Sequence, residues 1–408
     1  MNLRHAIPLG FRNLWRSPGR TALAAITIIC GITAYVLAVG FIDWIFVAMR
    51  DSVIYSNLGH FQITRTGYTE KGLADPYRYL IAPDTPALQT VRTHAGVTTL
   101  APRLAVSGLV SMGEESAGFL GEGVDPVREA RIGRELNIVA GRNLARPDEA
   151  SVILGEGLAI AIGARIGQRI VLLSHTASGG QNAVECAVVG IFSTSTKAYD
   201  DAYLRLPLAL AQQLARTTGA TSYVGLLDDT GQTDATVAAL RAPLSRAGLA
   251  IVPWYAQADF YTKTVALFSR QLAVIRVIIA LIILLSIANT LSMSVAERTS
   301  EIGTTLALGT RRRDVLSLFL IEGVLLGIGG GLLGVALAAL LAALLSAIGI
   351  PMPPPPGMAH GFIGQIRFSW GVAFDALLLA MLTTLVAGLL PAWRASRMNI
   401  VDALRSGR

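Results

Sequence analysis

Four stretches of this chain stay apolar long enough to cross a hydrocarbon layer as helices, which takes roughly 20 residues. They predict transmembrane helices over 21–47, 273–296, 315–349 and 370–393. The segment between the first and second, 48–272, has a different rhythm. Alternating or β-branched runs at 60–65, 105–111, 151–154, 169–173, 184–192 and 222–227 predict strands. A helical pattern over 234–247 followed by a strand-like 249–253 gives the order β-α-β. We therefore expect a small α/β subdomain beside a β-rich one built on 151–192, in a region large enough for its own core. The flanks 44–58 and 254–272 lack turn clusters and predict helical stalks that continue helices one and two beyond the bilayer. The expected fold is an α-helical membrane protein with four transmembrane helices and a large mixed α/β extracytoplasmic domain inserted between helices 1 and 2. The first apolar run exceeds the ~7–15 residues of a cleaved signal, so it reads as a retained anchor.

Charge orients the chain. Arg4, Arg12, Arg16, Arg20, Arg298, Arg311, Arg312, Arg313, Arg394, Arg397, Arg405 and Arg408 lie in short segments on one side, against Glu297, Glu301, Asp314 and Asp402. The opposite short loop, 350–369, holds only Arg367. Basic residues beside short loops stay cytoplasmic, so both termini (1–20 and 394–408) and the 297–314 loop are expected inside. A net charge of +7 is then a topology signal and no sign of nucleic-acid binding.

No constellation supports catalysis. Lys71, Lys197 and Lys263 are the only lysines, and none sits in a phosphate-binding loop. There is no G-x-S-x-G elbow and no metal spacing of His and Cys, so neither cofactor nor metal is expected on this chain. The glycine-bearing 155–163 reads as a turn and helix cap. Cys30 lies in the first span and Cys186 in the outer domain, so no disulfide between them is expected; Cys30 is expected to be a small packing residue.

Ionisable residues at membrane depth are costly and usually paired. Asp43 and Arg276 sit at matching depth near the outer ends of helices one and two, and are expected to form an ion pair. Glu322 and Asn289 are expected to meet as a structural polar contact, and Asp375 to reach the interface. Gly323, Gly327, Gly331 and Gly334 form small-xxx-small rows that allow close helix approach, within the four-helix unit or across a homodimer.

The chain resembles the FtsX/MacB-type (type VII) ABC transporter permeases over nearly its whole length. The resemblance rests on the basic segment FRNLWRSPGRT at 11–21, the loop ER-x-x-EIG-x-x-x-ALG at 297–309 and the tail PAWRASRMNIVDALR at 391–405. The stretches 152–173 and 187–215 are similar to the lipoprotein-releasing LolC/LolE branch. The resemblance implies a coupling helix within 297–314 that docks on a separate cytoplasmic ABC ATPase dimer, which would carry the ATP and Mg. Glu297, Arg298 and Glu301 would face outward, Ile302, Leu306 and Leu308 would seat in the partner's groove, and Gly303 and Gly309 would permit a turn or close contact. It further implies a second permease copy, identical or paralogous, in the bacterial inner membrane. The expected work is mechanotransmission: extraction of lipoprotein or lipid from the outer leaflet, export with a periplasmic adaptor and outer-membrane channel, or control of a periplasmic enzyme. The loop that recruits a periplasmic carrier in the LolC-like branch corresponds to 175–183, HTASGGQNA, which reads here as a plain hairpin turn.

Overall fold

The computed structural model of the chain describes residues 3–14, 16, 18–72, 74–134, 136–194, 197–352 and 362–399. Arg405, Arg408 and Asp402 of the tail lie outside them. The chain forms two compact units, one of residues 1–46, 264–351 and 363–408, the other of 47–263 and 352–362.

The first unit is helical. We number its helices α1 (Leu3–Leu14), α2 (Pro18–Val53), α3 (Asp259–Glu297), α4 (Thr299–Ala307), α5 (Arg312–Ile348) and α6 (Trp370–Ser396). Among the described residues α2, α3, α5 and α6 are each long and apolar enough to cross a membrane. Their inward faces follow helical spacing: Ala24, Ile28, Ile32 and Val36 on α2 meet Ile279, Ile283, Ile287 and Leu291 on α3, with Ala376 and Ala380 of α6. Large apolar residues such as Leu281, Leu285 and Leu340 point outward, as lipid-facing positions do. Cys30, expected in the packing, is exposed instead. Two residues from Ile28 is about 200° around a helix, which turns Cys30 to the outside.

The glycine row of α5 packs within this one chain. A Cβ on Gly327 would come within 2.2 Å of Thr384 Oγ1 on α6, and Gly323 and Gly331 face the same helix. Gly334 faces α2, where a Cβ would meet Ile32 at 2.9 Å, and its carbonyl accepts a 3.0 Å hydrogen bond from Thr33 Oγ1. Close backbone approach replaces the side-chain interlocking used elsewhere.

The second unit is a ten-stranded sheet. Its strands are β1 (Phe61–Arg65), β2 (Val97–Met112), β3 (Glu115–Val124), β4 (Asn137–Gly141), β5 (Ser151–Gly155), β6 (Arg169–His175), β7 (Gln181–Ser193), β8 (Tyr203–Pro207), β9 (Ser222–Leu227) and β10 (Leu249–Pro253). They run in the order β10-β1-β9-β2-β3-β8-β5-β7-β4, with β6 pairing β2 and β7. The 16-residue β2 pairs with β9 at its start and with β3 and β6 at its end. It therefore fuses the two subdomains expected from sequence into one sheet. Two cores remain: Phe61, Ile63 and Ile251 pack against the helices Pro86–Arg92 and Thr233–Arg246, while Val106, Leu154, Leu172 and Leu204 pack against Leu208–Ala215. The 175–183 segment is the end of the β6–β7 hairpin, closed by a Thr176 N–H bond to Gly180 O of 2.8 Å. The expected second stalk starts later than its polarity pattern indicated: residues 254–256 form a 3-10 turn with Trp254 buried, and α3 begins at Asp259.

His60 ties this sheet to pH. Its Nδ1 accepts from Leu227 N at 3.1 Å, so Nε2 carries the proton and donates to Thr230 Oγ1 at 2.9 Å. Burial pushes its pKa down to about 4. An unfolded chain takes up this proton near the ordinary value of about 6.5, the folded one only near 4, so stability is lost as pH falls through that window. We expect wild type to lose about 2 kcal/mol more than His60→Gln between pH 7 and pH 5. Equal losses in chemical denaturation of the two proteins would contradict this.

Candidate coupling site

The loop between α3 and α5 is built as a short helix held from one side. Arg298 leaves the end of α3, and its carbonyl accepts the Ile302 N–H at 2.9 Å to start α4. Gly309, at φ +93°, ends the turn in the left-handed region that favours glycine. The α4 sequence TSEIGTTLA places Ile302, Gly303 and Leu306 on one face, with Leu306 one turn beyond the other two. That face is buried against Val295, Val315, Phe319, Ala392 and Ala395.

Three expectations are corrected here. Ile302 and Leu306 do not point toward a partner; the apolar face of α4 completes the core of its own helical unit. The outward face consists of Glu301, Thr304, Ala307 and Leu308, with Leu308 82% exposed at the tip, followed by the exposed Arg311, Arg312 and Arg313. Arg298 likewise turns inward. Its side chain is 14% exposed, with Nη1 3.2 Å from Glu322 Oε1 and Nη2 donating to Asn13 O at 2.9 Å. The reason is Glu322, buried in the side of α5, whose carboxylate needs a cation and donors once it has left water. Asn13 of α1 supplies the remaining donor, Nδ2 to Glu322 Oε1 at 2.5 Å. Asn289 is exposed and the expected Glu322–Asn289 contact is absent among the described residues.

Two acids of the loop itself pair with the N-terminal segment: Glu301 with Arg16 at 3.0 Å and Glu297 with Arg20. Both pairs are exposed and screened by solvent, so neither adds much by itself. With the buried Glu322 triad they brace α4 against α1. A groove of about 300 Å³ lies along this brace, lined by Leu9, Asn13, Ile302, Thr305 and Phe319 among others. The role of Asn13 escaped the sequence reading; its one signal was a polar residue three positions after Gly10, which lies against Ile321, Glu322 and Leu325.

At the other end of the helices the expected Asp43–Arg276 pair is replaced by two others. Asp43 is 3.7 Å from Arg367, and Arg276 is 3.5 Å from Asp375. The backbone explains the exchange: Arg367 N–H donates to Gly40 O at 3.1 Å, which sets Arg367 one turn from Asp43 and leaves Arg276 to Asp375 of α6.

Two family models divide the chain between them: the FtsX-like permease C-terminal model matches residues 273–400, and the MacB-like periplasmic core domain matches 21–242. This chain belongs to the FtsX/MacB-type ABC permeases. Among curated relatives, the permease is 38% identical over 144 residues to the macrolide export ATP-binding/permease protein MacB of Sodalis glossinidius (strain morsitans), covering 35% of this chain and 20% of the relative. It is 34% identical over 139 residues to MacB of Escherichia coli, covering 34% and 20%. The permease thus spans about a fifth of the length of the curated relatives it matches. Among solved structures it is similar to the periplasmic region of MacB from Actinobacillus actinomycetemcomitans, with 16% identity and a TM-score of 0.37 over 52% of this chain and 94% of that one. It is also similar to the extracellular domain of the transporter YknZ from Gram-positive bacteria, with 13% identity and a TM-score of 0.36 over 47% and 98%.

Proposed function

We propose that the permease is the inner-membrane subunit of an ATP-driven transporter, with both termini in the cytoplasm and its ATPase on a separate chain that holds ATP and Mg. The outward face of α4 supports this reading: an exposed leucine, Leu308, stands between Glu301 and three arginines on a helix that is fixed from behind. Such a surface offers an anchor for a hydrophobic socket and charges for its rim. A second permease copy completes the machine, and hydrolysis drives the outer sheet domain without carrying cargo through the spans. The work at the outer leaflet is extraction or trafficking of lipoprotein or lipid. The export reading, with a periplasmic adaptor and outer-membrane channel, is favoured by the curated relatives, whose names describe macrolide export.

The test is purification of Leu308→Asp with the cognate ATPase. Loss of a central apolar anchor costs about 2 kcal/mol or more, so ATPase retention should fall by roughly 30-fold while the permease stays folded. Undiminished complex and ATPase activity would refute the docking role. Mass spectrometry of the wild-type complex separates the two cargo readings, since bound acylated protein or lipid supports the first and its absence beside a bound adaptor supports the second.

A further inference from the structure

Helix α2 does not simply end at the sheet domain; its last turn changes type. Residues Ile54–Leu58 form a π-helical turn, capped by Gly59 N–H bonding Ile54 O at 2.9 Å. Wider turns of this kind cost hydrogen-bond quality and are found often at functional positions. Here the sheet grips every part of it. Ile54 is fully buried among Ala101, Val224, Leu226 and Trp254. Arg134 lies over the Tyr55 ring at 3.6 Å. Arg205, from β8, donates Nη2 to Ser56 O at 2.9 Å and to Asn57 Oδ1 at 3.3 Å. Arg103, from β2, donates Nη1 to the same Asn57 oxygen at 2.6 Å.

These arginines are themselves immobilised. Arg103 is 2% exposed and bonds Glu129 through Nε at 2.6 Å and Nη2 at 3.0 Å. Glu122, from β3, lies 3.4 Å from Arg103 Nη1 and 3.6 Å from Arg205 Nε. Two buried cations and two acids balance in charge, and each arginine keeps one arm for the α2 tip. Bidentate pairing fixes a guanidinium in direction as well as position.

The start of α3 is held differently. Trp254 meets Tyr261 edge-on at 4.9 Å, Ala258 joins the same apolar cluster, and Lys263 pairs with Asp259 of its own helix at 3.4 Å. Between the two helix ends lies a cavity of about 320 Å³, lined by Met49, Ser52, Val53 and Asn57 on one side and Ala258, Phe260 and Tyr261 on the other. Apolar faces slide more readily than charged hydrogen bonds stretch, and a void beside one of them leaves room for movement.

We propose that Asn57, Arg103 and Arg205 weld the π-turn to the sheet as the fixed point through which α2 moves the outer domain, and that the start of α3 is the yielding one, its travel taken up by the cavity. This rests on the reading that ATPase motion reaches the outer domain. The three residues are positioning residues, since they act through the helix end they hold.

The test uses the full chain in nanodiscs with its ATPase, spin-labelled at Val127, exposed on the short helix Pro126–Ile132 that also carries Glu129, and at either Asp51 or Phe260. Cys30→Ala removes the exposed thiol, and the buried Cys186 thiol, pushed up to about 12, does not compete for label. Trapping with ATP and vanadate should shift the Phe260–Val127 distance by several ångström and leave the Asp51–Val127 distance unchanged. Movement of the Asp51 pair to the same extent, or stillness of the Phe260 pair with ATPase bound and trapped, would overturn the proposal. Asn57→Leu should broaden the Asp51–Val127 distribution even without nucleotide, measured well below the melting temperature, which the loss of an acceptor for two buried guanidiniums will itself lower. A distribution as narrow as wild type would overturn the weld independently of any ATPase. Failure of the transport reading looks different: no ATPase is retained, yet Asn57→Leu still broadens the distribution.

Discussion

Arg103→Met should destabilise the outer domain by about 3–5 kcal/mol, the usual penalty for breaking a buried pair from one side. The methionine fills much of the volume, so the loss is electrostatic: Glu129 stays buried with neither of its two guanidinium bonds, and Asn57 loses its shortest donor. Arg103→Lys should fare little better, because an ammonium cannot satisfy both Glu129 oxygens and Asn57 together. Removing the stranded charge as well, in Arg103→Met/Glu129→Leu, should recover a large part of the loss. Denaturation followed by the fluorescence of Trp254, which is buried near the π-turn, measures all three variants. A loss below about 1 kcal/mol for the single change would mean that water reaches the cluster.

Gly327→Leu should cost about 3 kcal/mol, the upper part of the range for overpacking. The new Cβ alone would stand 2.2 Å from Thr384 Oγ1 and 3.1 Å from Thr384 Cβ, and that hydroxyl could retreat only by giving up its 3.1 Å hydrogen bond to Met381 O. The helices α5 and α6 must separate or shift along their axes. The change should lower the yield of folded protein in detergent and its melting temperature, whereas Gly329→Leu, where a Cβ meets nothing within 4 Å, should do neither. Equal behaviour of the two variants would show that α5 packs on α6 along another face.

The four apolar helices and most strands were legible because each carries its own periodicity. Strand β6 alternates buried and exposed along its length, and the inward row of α2 recurs every fourth residue. Within the ten-stranded sheet, the strands that escaped were β3, β4 and β8. β3, ESAGFLGEGV, is diluted by glycines that the packing demands: a Cβ at Gly123 would lie 2.2 Å from that of Ala211. A residue chosen for close approach has no side chain to betray its environment. In the α4 loop the apolar face of the helix was visible, but not what it faces. Ile302 and Leu306 would suit a partner's groove as well as the core they fill. Charge pairing was the least legible feature. Asp43, Arg276 and Glu322 were each marked as needing a partner, and each found one from an element other than the one expected, since matching depth restricts the candidates without ranking them.

The π-turn also decides where the outer domain begins. By secondary structure the sheet starts at Phe61, yet Ile54 belongs to its apolar core and Asn57 to its ionic cluster. Grafting this sheet onto the helices of another permease by a cut at residue 61 would leave two arginines short of acceptors and an open slot where Ile54 had been. A working chimera must carry residues 54–60 with the sheet, so the seam for domain exchange lies inside the helix, upstream of its last turn.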